Sequence, residues 1–148
     1  MTTRQGPDWK QYLEEECAQM ENSAFDRLVA VFGAREDVKY REGVGRVSGN
    51  ASLYIKLLNM FFEEEGIKQI TRALSDGDGL LARQRAHRFK GTAANLGLAG
   101  LEKLAAAIEK SAAEDPGQAQ DLARQLQENW SALYSLVRTL RQNREGMR

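Results

Sequence analysis

Between Asp78 and Ala112 apolar residues recur at steps of three and four on both sides of one glycine. Ala82, Ala86, Phe89, Ala93 and Leu96 form one helical face before Gly97; Leu101, Leu104, Ala105, Ile108 and Ala112 form another after it. Gly97 is placed to end the first helix in a left-handed C-cap. Only a few residues separate the two patterns, so the helices must be antiparallel neighbours. This hairpin restricts the chain to helical architectures and sets the frame for everything else.

The remaining segments fit the same frame. A long helix is expected from about Ala51 to Leu74, capped by Asn50, with Leu53, Leu57, Met60 and Phe61 as its apolar face and a kink at Gly66. Ser75 to Gly79 is a turn, and Asp78 is the N-cap of the next helix. Pro116 stands at the first position of a last helix carrying Leu122, Leu126, Trp130, Leu133, Val137 and Leu140. The expected class is all-α: an up-down-up-down four-helix bundle over residues 37–142, with an additional N-terminal helical segment in residues 1–36 and a frayed polar tail in residues 143–148. Within the N-terminal segment, Trp9, Leu13, Cys17 and Met20, then Phe25, Leu28 and Phe32, lie at helical spacing, with a break expected at Asn22-Ser23. So many large apolar groups must be covered; packing on the chain's own bundle is favoured over dimerisation, which leaves a monomer as the expected state. Gly43, Gly45 and Gly49 read as turn glycines. They lack the spacing of a nucleotide loop, and no strand precedes them.

Composition excludes several classes. The 148 residues carry 21 basic and 21 acidic side chains, so no overall basic field favours nucleic acid or a membrane surface. No apolar run is long enough to span a bilayer. The single cysteine, Cys17, precludes an internal disulfide and fits a reducing cytoplasm. Met1 to Trp9 is polar and does not read as a signal peptide. No acidic cluster is placed to bind a metal, and no cofactor of the chain's own is expected.

The chain has one histidine, His87. It lies roughly 140° from the centre of its helix's apolar face, at ~100° per residue. Most helix histidines are ordinary surface residues. This one is flanked by Arg83, Arg85, Arg88 and Lys90, and Gly91 stands one turn on. Nearby cations disfavour the protonated ring and attract phosphate. Glycine within a helix costs about 0.5–1 kcal/mol against alanine, a cost that makes sense if something must approach the backbone there. A neutral imidazole among phosphate-binding cations points to a phosphoryl acceptor. Across the hairpin, His87 lies ten residues before Gly97 and Glu109 twelve after it. At ~1.5 Å rise per residue the two reach similar heights, so Glu109 is placed to accept a hydrogen bond from Nδ1–H and leave Nε2 as nucleophile.

The pattern His87-x-x-Lys90-Gly91, followed by small residues and Asn95-Leu96-Gly97, resembles the histidine-containing phosphotransfer (HPt) domain of bacterial phosphorelays. Gly45-Arg46-Val47-x-Gly49-Asn50-x-x-Leu53-Tyr54 is similar to the family's first long helix and its entry. Ala73-Leu74-x-x-Gly77-Asp78 resembles the turn before the histidine helix, and Leu101-x-x-Leu104-Ala105-x-x-Ile108-Glu109 the return helix. Phe89 and Ile108 stand where the family usually has leucine. The resemblance implies a phosphorelay intermediate that reversibly accepts a phosphoryl group on His87 from a receiver aspartate and passes it to another receiver. It implies that Glu109 orients the ring, that Lys90 screens the phosphoryl charge, and that Arg83, Gln84, Gly91 and Ala94 form the rim on which a partner docks. Response-regulator receivers and a hybrid sensor histidine kinase are the implied partners, and Mg²⁺ is expected in the receiver. The chain itself has no nucleotide-binding segment for autonomous kinase activity. The alternative is a non-catalytic helical docking module, but such a module would tend to lose His87, Lys90 or Gly91.

Overall fold

Asn50, Asp78, Asp115 and Gly97 punctuate the chain, and each acts locally as its chemistry dictates. In the computed structural model the Asn50 side chain accepts from Leu53 N–H at 2.9 Å, Asp78 from Leu81 N–H at 3.0 Å and Asp115 from Gln118 N–H at 3.1 Å, which satisfies orphan donors at three helix starts. Gly97 has φ +74°, the left-handed geometry of a helix C-cap. The structure describes the backbone of residues 9–146, and side chains from Lys10 to Leu140 except those of Tyr12, Cys17, Met20 and Glu21. Over the described residues the elements are α1 (Trp9–Phe32), α2 (Tyr40–Arg46), α3 (Ala51–Glu63), α4 (Gly66–Ser75), α5 (Gly79–Asn95), α6 (Ala99–Ser111) and α7 (Pro116–Gly146), with no strand among them. None of these helices is long and apolar enough to cross a membrane.

The four-helix bundle is formed by α3 and α4 as one broken column, with α5, α6 and α7. Phe61 packs on Phe89, with ring centroids 5.2 Å apart, and Tyr54 donates its hydroxyl to Leu96 O at 2.5 Å, so the broken column runs antiparallel to α5. The buried faces of α5 and α6 are rich in alanine: Ala82, Ala86 and Ala93 on one, Ala105 on the other, with Ala112 just past its end. Small side chains let two helices approach closely. At the far end a Cβ on Gly79 would stand 2.8 Å from Ala112 O, so the first turn of α5 rests on backbone at the end of α6. α7 is about 46 Å long at 1.5 Å per residue and outreaches α6. Its second half therefore packs on α3 through Trp130 and Tyr134 against Phe62, and on the back half of α1.

The hairpin turn is tied down from above. Lys39 N–H donates to Gly97 O at 2.7 Å, and Gly100 N–H to Asp37 O at 3.3 Å. Arg46 donates to Ala94 O at 2.5 Å and Asn95 O at 3.2 Å, placing a cation at the negative end of α5.

Several expectations are corrected. α1 is continuous through Asn22-Ser23, running unbroken from Trp9 to Phe32, and Ala24, Leu28 and Phe32 on its back half are buried on one face. That half packs on the chain's own α3 and α7, as favoured from sequence, and Arg27 donates to Leu140 O at 3.2 Å, whereas Leu13 on the front half, expected to be covered, is 56% exposed. Trp9, Cys17 and Met20 lie outside the described side chains. Residues 51–74 are not one helix: Glu64 is extended (ψ 155°) and the helix restarts at Gly66. A poor helix former stands there because the Phe89 ring lies against it, 3.0 Å from where a Cβ would be. The apolar face of α3 is turned from the expected one. Tyr54, Ile55, Leu58, Phe61 and Phe62 are buried, while Leu53 and Met60 are exposed. Gly43 and Gly45 belong to α2 rather than to turns, and Gly43 lets the Tyr54 ring lie directly on the backbone. The α7 backbone continues helically to Gly146, past the start of the expected frayed tail.

Gly97→Ala should destabilise the fold by at least about 1 kcal/mol in urea unfolding. It combines a left-handed backbone with a Cβ driven into the Lys39 carbonyl.

Candidate functional site

His87 stands near the middle of α5, with its side chain 68% exposed, on the face away from the bundle core. Its Nδ1 lies 2.8 Å from Glu109 Oε1 on α6. An ionised carboxylate can only accept, so Nδ1 must carry the hydrogen. In the neutral ring the lone pair is then on Nε2. The sequence argument from equal heights across the hairpin placed these two residues together, and they meet.

Lys90 takes part in a way the sequence reading missed. Its Nζ lies 2.7 Å from Glu109 Oε2, so the carboxylate bridges the two α5 side chains. The available signal was angular: Lys90 leaves α5 about 60° from His87 on the side toward Ala86 and Ala93. Glu109 is only 20% exposed. Lys90 holds its carboxyl below the usual carboxylate range; partial burial opposes this, and the hydrogen bond to His87 reinforces it. Glu109 therefore stays ionised while exposed glutamates protonate. Its favourable interactions are present above the ordinary glutamate pKa of 4.5 and are lost as pH falls through its own lower value.

Around His87 the exposed face of α5 carries Gln84 and Gly91, with Arg83 exposed at one edge and Ala94 half-buried beside Gly91. Leu80, 69% exposed, extends this face two turns toward the start of α5; the sequence reading did not single it out. Gly91 has no packing role. A Cβ there would meet nothing within 4 Å, whereas Gly66 on α4 lies against a ring and Gly79 at the start of α5 against backbone. Arg85 and Arg88 point to another flank. With Glu63, Glu64, Glu65, Gln69 and Thr92 they line a cleft of about 400 Å³ between α5 and the α3–α4 break. Among the described residues no group of three or more His, Cys, Asp or Glu side chains could hold a metal ion.

The Hpt domain family model matches residues 56–142, more than half of the chain, from within α3 to within α7. The chain belongs to the Hpt domain family. Membership assigns it a role in histidine phosphotransfer within two-component signalling, where Hpt domains work with response-regulator receivers and kinases. No curated protein and no solved structure matches the chain.

Because Gly91 is held by no neighbour, Gly91→Ala should raise stability by about 0.5–1 kcal/mol through helix propensity alone. Thermal unfolding followed by circular dichroism checks this. Destabilisation would mean that the glycine serves the fold.

Proposed function

We propose that His87 is the phosphoryl acceptor and donor of this Hpt domain, exchanging phosphate with receiver aspartates in either direction. The observation that carries the reading is the Nδ1–Glu109 hydrogen bond on a ring whose other face is open to solvent. It fixes the tautomer that leaves Nε2 nucleophilic and aims it outward.

In the forward step the Nε2 lone pair attacks the phosphorus of the receiver's aspartyl phosphate. The Nε2–P bond forms, the P–O bond to the aspartate breaks, and the aspartate carboxylate leaves with its electron pair. No proton need depart, because Nε2 carried none. The ring keeps its Nδ1 hydrogen and becomes cationic, with the Glu109 carboxylate as counter-ion. Return to a receiver is the same step reversed. Little covalent work falls to the protein; positioning and charge dominate. In this reading Mg²⁺ sits in the receiver.

Gly91 gives the receiver room to bring its phosphoryl group within bonding distance. Leu80, Gln84, Ala94 and Arg83 complete the docking rim, with Leu80 as its apolar end. Lys90 supplies positive charge beside the phosphoryl group.

His87→Gln should abolish acid-labile, base-stable labelling from a phosphorylated receiver, and labelling that persists would refute the assignment. Gly91→Gln should fold normally yet slow transfer by at least about tenfold, the equivalent of 1.4 kcal/mol. Equal rates would place the receiver elsewhere on the surface.

A further inference from the structure

The front half of α1 carries an apolar stripe that its own chain leaves in solvent. Trp9, Leu13, Cys17 and Met20 recur at steps of four and three, and the stripe continues into the buried Ala24 and Leu28 of the back half. Every described side chain from Lys10 to Ser23 is nonetheless exposed. The helix is continuous and its back half is fixed on α3 and α7, so the front half cannot turn back onto the bundle. Leu13 lies about 22 Å along the axis from Leu28.

A second stripe stands open on the bundle. Leu53 and Met60 of α3 are exposed, with Leu57 half-buried between them. At ~100° per residue this stripe borders Phe61, whose ring packs on Phe89 of α5. Phe62, against Trp130 of α7, lies on the other side of α3. α1 packs on α3 and α7 without covering the stripe. Leu13 to Met20 and Leu53 to Met60 each span seven residues, about 10 Å of helix.

Charge decides what each stripe can accept. Residues 9–23 hold four glutamates and one lysine, whereas the whole chain is neutral, so the rest of the chain carries the matching positive excess. At ~100° per residue Glu16 borders the α1 stripe on one side and Glu14 and Glu21 on the other. Two α1 helices laid together would therefore oppose acid to acid. On α3 the exposed Lys56 borders the stripe, Arg46 lies near its start at the end of α5, and Glu63, Glu64 and Glu65 stand at its far end. The front of α1 has the reverse order, with Lys10 first and the glutamates after it.

We propose that the occupant of both stripes is a second copy of this chain. The front half of α1 from each protomer lies antiparallel on α3 of the other, the Leu13–Met20 stripe on the Met60–Leu53 stripe. Lys10 then meets the glutamates at the end of α3, and Glu14 and Glu16 meet Lys56 and Arg46. The exchange is reciprocal, so it closes on two copies. It is independent of the role of His87.

Sedimentation velocity of the full chain over a range of concentrations reads the association. The wild type should pass from monomer to dimer. Leu13→Glu and Met60→Glu, both at exposed positions, should each raise the dimer Kd by about tenfold or more, with the bundle still folded by circular dichroism. Leu13→Gln and Met60→Gln replace them if either does not fold. Charge reversal identifies the occupant: Glu16→Lys and Lys56→Glu should each weaken the dimer, and the double variant should recover it. A chain that stays monomeric at every concentration would overturn the proposal. So would a dimer indifferent to Met60→Glu and Lys56→Glu. A dimer strengthened by Glu16→Lys alone would place α1 against α1 and overturn it equally.

Discussion

The close approach of α5 and α6 along an alanine-rich seam is the constraint on which the site depends. Glu109 and His87 belong to different helices, and a glutamate reaches an imidazole at 2.8 Å only if the helices lie near each other at the right height. Ala82, Ala86, Ala93, Ala105 and Ala112 set the approach, with Gly79 packed on the end of α6. Gly97 sets the height through a turn too short to slip. Contacts from Lys39, Arg46, Tyr54 and Asp37 then hold that turn from outside. A larger residue in the seam would separate the helices and take Glu109 away from the ring without touching either residue.

What was legible in the chain was what local chemistry decides. Asn50, Asp78, Pro116 and Gly97 act as caps, starts and stops through their own backbone and side-chain preferences, so their roles could be read without the fold. The meeting of His87 and Glu109 was legible because helical rise is fixed and the turn between them is short. The rest depended on tertiary packing. α3 is apolar on several sides, with Leu53, Tyr54, Ile55, Leu57, Leu58, Met60, Phe61 and Phe62 in succession, so periodicity could not say which face turns inward. The glycine at 66, just past the break at Glu64, answers the Phe89 ring resting on it, a contact between helices. The Lys90–Glu109 pair required knowing on which side of α5 the next helix lies.

Charge is placed economically for a chain with no net charge. The exposed face of α5 around His87 combines a few cations with one shielded carboxylate, Glu109, which pairs with Lys90. The remaining arginines of α5 are directed elsewhere, Arg85 and Arg88 toward the glutamates at the α3–α4 break. The back half of α1 packs on α3 and α7, so the extension reinforces the fold from a side that leaves the exposed face of α5 uncovered.

The central claim is that Glu109 fixes which ring nitrogen reacts, and the position of the phosphorus tests it directly. Heteronuclear NMR of the protein phosphorylated by a receiver, with ³¹P–¹⁵N correlation to the ring nitrogens of His87, assigns the bond. The account predicts phosphorus on Nε2 with the hydrogen retained on Nδ1. Phosphorus on Nδ1, or a mixture of the two isomers, would contradict it.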